Sequence, residues 1–222
     1  MTHASVSEAP RSAVARFYTA SYPMMKPYVG SRYGDRTTKL LLIGESHYLP
    51  DGATQGETPA DWYDGTSATL SQEEIRWINT AAIVEGAVKS NFPKKPHWIW
   101  KNAFKEINAA GPRYPDYKRV ADDVAFYNFF LRPAMRGLSL ACEPRDVAMA
   151  NDAFMLHCGD LKPSAVVFLS VLAHSHFHAP PGVKVIATTH PSSAWWNRES
   201  RARGGKSGRQ ILSEYIATTV WP

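Results

Sequence analysis

A chain of 222 residues, 44% apolar and 12% aromatic, is long enough to bury one full core and does not need two. Lys and Arg outnumber Asp and Glu by 25 to 20, and the net charge of +5 favours an anionic partner without naming it. The two cysteines, Cys142 and Cys158, form no Cys-x-x-Cys pair, which excludes an all-cysteine iron–sulfur or zinc site and suits free thiols in a reducing cytoplasm.

Met1 to Pro10 is polar and lacks the apolar stretch of a signal peptide, so a flexible tail is expected there. No apolar run approaches a membrane span, and a cytoplasmic protein without membrane contact is the expectation. The first buried strand is predicted at Lys39–Gly44, followed by a long loop, Leu49 to Leu70, that is expected to border a site rather than pack a core. Ser71 and Glu74 have capping-box spacing, predicting a helix from there toward Lys89 that Pro93 stops. Further helices are predicted over Trp100–Ala110, Arg145–Cys158 and Ser207–Thr218, with strands at Asp123–Asn128, Ala165–Ser170 and Val183–Thr188. Continuous apolar strands separated by helices predict one domain over residues 1–222, a three-layer α/β/α sandwich around a central four-stranded parallel sheet.

In such a sheet the polar strand ends converge on one rim, where ligands bind. The first strand runs into Gly44-Glu45-Ser46-His47-Tyr48, the second ends at Asn128, and the fourth leads to His190-Pro191-Ser192-Ser193-Ala194-Trp195-Trp196. Gly44 lets a backbone approach a ligand, Asn128 offers a donor and an acceptor to a planar heterocycle, and His190 can donate to a developing negative charge. Other motifs carry less. His174, His176 and His178 lack a Cys or acidic partner at metal spacing, and Gly205-Lys206-Ser207 lacks the earlier glycine of a phosphate loop, Ser200 standing in its place. Ser46 with distant His190 leaves a small-molecule Ser/His hydrolase open as an alternative.

These three motifs, in this order, resemble the uracil-DNA glycosylase superfamily. Gly44-Glu45-Ser46-His47-Tyr48 matches the family's Gly-Gln-Asp-Pro-Tyr type motif, Asn128 its base-reading Asn, and His190-Pro191-Ser192-Ser193 its His-Pro-Ser-Pro. The resemblance spans roughly Lys39 to Tyr215 and implies a metal-free DNA N-glycosylase, with no cofactor, that flips uracil or another deaminated or damaged base into a pocket and releases it. It makes His190 the electrostatic catalyst and Glu45 and Ser46 the water-positioning residues. Gly44, His47, Tyr48 and Asn128 become the base pocket, with Tyr48 excluding bulkier bases. Ser192, Ser193, Trp195, Trp196 and Arg198 are expected to meet nucleic acid, one tryptophan as a minor-groove wedge, with Arg201, Arg203, Lys206 and Arg209 nearby. The first motif departs from the family: Ser46 replaces an Asp or Asn, and His47 replaces a Pro. Glu45 or Asp51 is then the substitute for the missing carboxylate. The alternative on the same fold is a non-catalytic nucleic-acid or nucleotide-binding module; no obligate protein partner is expected.

Overall fold

Leu40, Leu41, Leu42 and Ile43 are all fully buried, which a strand achieves only when both faces of its sheet are covered. The computed structural model describes residues 13–53, 56, 58–135, 140–179 and 182–221, so the expected tail at residues 1–10 lies outside them. One sheet holds strands β1 (Tyr28–Val29), β2 (Leu40–Leu49), β3 (Val124–Met135), β4 (Ala165–Phe168) and β5 (Lys184–Ala187), in the order β1-β3-β2-β4-β5. β3, β2, β4 and β5 are mutually parallel. β1 runs antiparallel on the outer edge of β3, pairing Tyr28 with Phe126 and Val29 with Ala125. The sheet is therefore mixed and five-stranded, not the four-stranded parallel sheet that the apolar runs predict. Two residues carry no readable alternation; β1 is set by its surroundings, with Gly30 pressed so closely on Ala121 and Asp122 that no side chain fits.

The helices are α1 (Pro59–Tyr63), α2 (Gln72–Ile78), α3 (Thr80–Lys89), α4 (Trp98–Ala110), α5 (Pro144–Leu161), α6 (Val171–Ser175) and α7 (Gly208–Tyr215). α3, α4 and α7 cover one face of the sheet, where Val84, Trp100, Phe104 and Leu212 pack on Leu40, Leu42 and Phe126. α5 and α6 cover the other, where Ala150, Phe154 and Ala173 pack on Leu41, Ile43 and Tyr127.

Several boundaries differ from the sequence expectation. The Ser71–Glu74 capping box is present, with Ser71 N donating to Glu74 Oε2 at 2.7 Å, but the predicted single helix is two. It breaks at Asn79 because that side chain accepts from Ala82 N at 3.0 Å and starts α3 afresh. The Leu49–Leu70 stretch packs a core rather than bordering a site as a bare loop: α1 inserts a fully buried Trp62, whose Nε1 donates to Leu131 O at 2.9 Å. β2 and β3 also run further than predicted, so Gly44 to Tyr48 lies within β2. Their pairing is regular up to Ser46 opposite Phe130, then shifts so that Tyr48 lies opposite Ala134. Pro133, which has no N–H for the ladder, falls within this irregularity.

From β2 the chain crosses to β3 on one side, then returns past β2 to β4 and β5 on the other. β2 and β4 are thus neighbours whose connections diverge, the topological position at which open α/β sheets bind ligands.

Candidate functional site at the carboxyl edge of the sheet

The register sets the rim. Gly44 pairs with Asn128, Ile43 with Phe168 and Phe168 with Ala187, and Thr188 N donates to Phe168 O at 2.8 Å. Gly44 and Asn128 therefore face each other at mid-strand, with β2 and β3 paired on to Leu49 and Met135, while β4 and β5 end level with Ile43, so that Ser170 and the segment leading to His190 leave the sheet beside them. β4 ends at Phe168, and Leu169 N makes a last bond to Ile43 O at 2.7 Å before the chain departs. Beyond Gly44, β2 is paired with β3 alone.

Gly44 is demanded by its neighbour. A Cβ there would collide with Asn128 Oδ1 and come within 3.0 Å of Phe126 Cζ. The Asn128 amide consequently lies across the bare Gly44 backbone, and among the described residues it has no hydrogen-bond partner. Gly44→Ala is expected to swing this amide aside, visible as a displaced Asn128 side-chain NH₂ resonance. Melting should change by no more than about 4 °C, since the colliding atom ends a short rotatable side chain.

Glu45 lies on the opposite face of β2 from Gly44 and Ser46, toward the start of α6: Ser170 Oγ donates to its Oε2 at 2.7 Å, while Ser170 caps α6 by accepting from Ala173 N at 3.2 Å. Burial, with the Glu45 charge adding to it, raises the Tyr48 phenol above its ordinary pKa. Burial first, then the carboxylates of Asp146 and Glu45, push the Cys142 thiol up to about 11, so it is no thiolate nucleophile near neutrality. Ser46 stands on the face of Gly44 and Asn128 and is 8% exposed, with a buried hydroxyl that has no partner. That hydroxyl has no imidazole beside it to act as a base, which speaks against a hydrolase built on Ser46.

His47 departs from its expected place in the base pocket. It is buried, with Nε2 3.0 Å from Thr80 Oγ1 and a further hydrogen bond to the Trp77 backbone, so the ring serves the packing of β2 on α2 and α3. Burial lowers its pKa to about 4. Tyr48 keeps 40% of its surface exposed.

The His190 loop is pinned from both sides. Asn102 Nδ2 of α4 donates to Pro191 O at 2.8 Å, and α7 begins with Gly208 because a side chain there would strike Thr189 Oγ1. Within the loop, His190 Nδ1 accepts from the Ser192 backbone N–H at 3.2 Å and lies 2.8 Å from the Ser192 hydroxyl. A backbone N–H can only donate, so Nδ1 carries no proton and a neutral ring holds its proton on Nε2. Burial lowers the His190 pKa to about 4, which keeps the ring neutral near pH 7. Nε2 has no partner among the described residues and is free to donate outward.

The two tryptophans divide. Trp196 is 3% exposed and packs in the core beside Gly208, which corrects its expected contact with nucleic acid. Trp195 is 55% exposed, with the Arg198 guanidinium 5.6 Å over its ring. Ser192 is spent on His190, and the Ser193 hydroxyl is buried, so neither presents a free hydroxyl to a phosphate. Arg209 pairs with Glu106 and Lys206 with Glu214, whereas Arg198 and Arg201 meet no carboxylate among the described residues. Of the remaining histidines, His174 and His176 rest on the rings of Phe168 and Phe130.

Sequence reasoning passed over Ser170, which it placed merely as the last residue of a strand. A serine three residues before Ala173, where a strand hands over to a helix, is a readable cap signal. No helix among the described residues is long and apolar enough to cross a membrane. Compared with known proteins, the chain matches no family model, and no curated protein resembles it significantly.

Proposed function

We propose that this chain hydrolyses the N-glycosidic bond of uracil or another deaminated or damaged base in DNA, on a uracil-DNA glycosylase-like fold. One observation carries the reading: a buried, neutral His190 whose tautomer is set by the Ser192 N–H, leaving an unpartnered Nε2–H. A base that leaves with the bonding electron pair develops negative charge on its carbonyl oxygen. A preorganised neutral donor stabilises that charge without giving up its proton in the ground state. Asn128, with both ends of its amide unpartnered, supports the same reading by supplying the donor and acceptor that discriminate one base edge from another. Trp195, backed by Arg198, is the side chain with the exposure a wedge beside a flipped nucleotide needs, and Arg201 adds charge for phosphates. None of these roles calls on a metal or an organic cofactor.

The test is a release assay on single- and double-stranded oligonucleotides carrying uracil, hypoxanthine or xanthine. At least one base is expected to be released, and His190→Ala is expected to slow that release by about 10²–10³-fold, the usual effect of removing one preorganised donor. Tight binding without release, in wild type and variant alike, would instead assign the fold to a non-catalytic module.

A further inference from the structure

We infer that the exposed rings of Trp98 and Trp195 are stacking platforms for unpaired bases, and that the DNA this chain takes is single-stranded. The inference rests on the base-release reading for the nature of the ligand and deepens it by naming the strand form.

α4 has two unlike faces. Ile99, Trp100, Ala103, Phe104 and Ile107 are buried, whereas Trp98, Lys101, Asn102 and Lys105 share the outer side at helical spacing. Trp98 is 40% exposed, and Trp100 two residues on is in the core. Lys101 Nζ lies 6.0 Å over the Trp98 ring, much as the Arg198 guanidinium lies over Trp195. Among the described residues these two are the exposed tryptophans, and each has a cation at its ring. Such a pairing offers a base a π face and the adjoining phosphate a charge. Lys94, Lys95 and Lys101 on the first side, and Arg198 and Arg201 on the second, meet no carboxylate among the described residues.

Both rings are tied to the His190 loop. Asn102, one helical turn on from Trp98, donates through Nδ2 to Pro191 O at 2.8 Å, at the residue that follows His190. Trp195 comes four residues after Pro191, a reach of at most about 14 Å when fully extended. The loop is shorter than that limit, because Ser193 N donates to His190 O at 2.9 Å and Thr189 Oγ1 to Trp195 O at 3.1 Å. α4 also covers the face of the sheet on which Leu42 and Phe126 lie, and two residues further along those strands the same face carries Gly44 and Asn128. Flipping one nucleotide from a duplex supplies one unpaired ring and leaves its neighbours stacked on each other. Two platforms beside one loop call for a strand with several bases free.

The test reads binding apart from base release. An oligothymidylate of about 12 nucleotides, which carries no uracil, is titrated by fluorescence anisotropy beside its duplex with oligoadenylate. Wild type is expected to bind the single strand about tenfold or more tightly than the duplex. Trp98→Ala is expected to weaken single-strand binding by about tenfold and duplex binding by no more than about twofold, while Trp98→Phe keeps most of the affinity. Trp195→Ala should weaken the single strand by a similar factor. Lys101→Gln should reduce the slope of log affinity against log salt by about 0.7, one phosphate contact on a single strand. Because both rings are exposed, circular dichroism melts of the variants should match wild type. Single-strand binding unchanged in Trp98→Ala, an equal loss on both strands, or a wild type that prefers the duplex overturns the inference. In each of those cases base release that depends on His190 leaves the base-release reading standing. Trp98-dependent binding with no base released from any strand does the reverse, and a wild type that neither binds nor releases removes both.

Discussion

Arg132→Met is expected to lower the unfolding free energy by about 3–5 kcal/mol, the range seen when one partner of a buried ion pair is removed and the other charge is stranded. Arg132 is 4% exposed and Asp146 0%. Arg132 Nε donates to Asp146 Oδ1 at 2.9 Å and Nη2 to Oδ2 at 2.6 Å, a bidentate pair. Arg132 Nη1 also donates to Gly56 O at 3.1 Å and Nη2 to Ala141 O at 2.8 Å, and Asp146 also accepts from Tyr63 Oη at 3.0 Å and Glu143 N at 3.0 Å. One ion pair thus ties β3, α1 and the first turn of α5 together. The variant leaves the Asp146 carboxylate buried with two donors and no counter-charge. The double variant Arg132→Met with Asp146→Leu should recover much of the loss, because the desolvation cost disappears with both charges. Urea titrations of the three variants give the comparison. A single variant within about 1 kcal/mol of wild type would mean that water reaches this pair in solution.

Acid is expected to unfold the protein well before its carboxylates are fully protonated, because buried histidines are held neutral. Burial lowers His47 to about 4 and His157 to about 3, from the ordinary value near 6.5. His157 is wedged between the Tyr18 hydroxyl, 3.0 Å from Nε2, and the Tyr127 ring at 4.6 Å. Between the folded and unfolded values the unfolded chain binds the additional protons, so stability rises with pH across that interval. The contribution is complete above about pH 6.5 and is lost as pH falls toward 4 for His47, about 3 kcal/mol, and toward 3 for His157, about 5 kcal/mol. His190, lowered to about 4 by the same cause, adds in the same direction. Urea midpoints measured from pH 7.5 down to 4 should therefore fall steeply below pH 6.5. His157→Phe should flatten that fall, and an unchanged slope would show that water hydrates the ring.

Much of this was written locally. The apolar runs at Leu40–Ile43, Val124–Tyr127, Ala165–Phe168 and Val185–Ala187 identify the parallel strands, because only a strand covered on both faces tolerates such continuity. Ser71 with Glu74 and Ser207 with Gln210 mark helix starts through bonds that span three residues. That Gly44 and Asn128 lie side by side follows from the parallel pairing of their strands, but both stand inside strands that run on to Leu49 and Met135 rather than at strand ends, an extension the sequence pattern does not show.

What tertiary structure decided is which way each side chain on that rim faces. His47 and Tyr48 are neighbours in one motif, yet Thr80 and the Trp77 backbone draw the first inside while the second stays open. Trp195 and Trp196 are chemically identical, and only the packing of α7 against Thr189 selects which is buried. β1 exists because β3 offers it an edge, and Ser170 acquires its partner from a residue 125 positions away. Local bonds and hydrophobic period act over a few residues and therefore survive in the sequence. Facing, pairing and the tautomer of His190 depend on atoms brought close only after the chain has closed on itself.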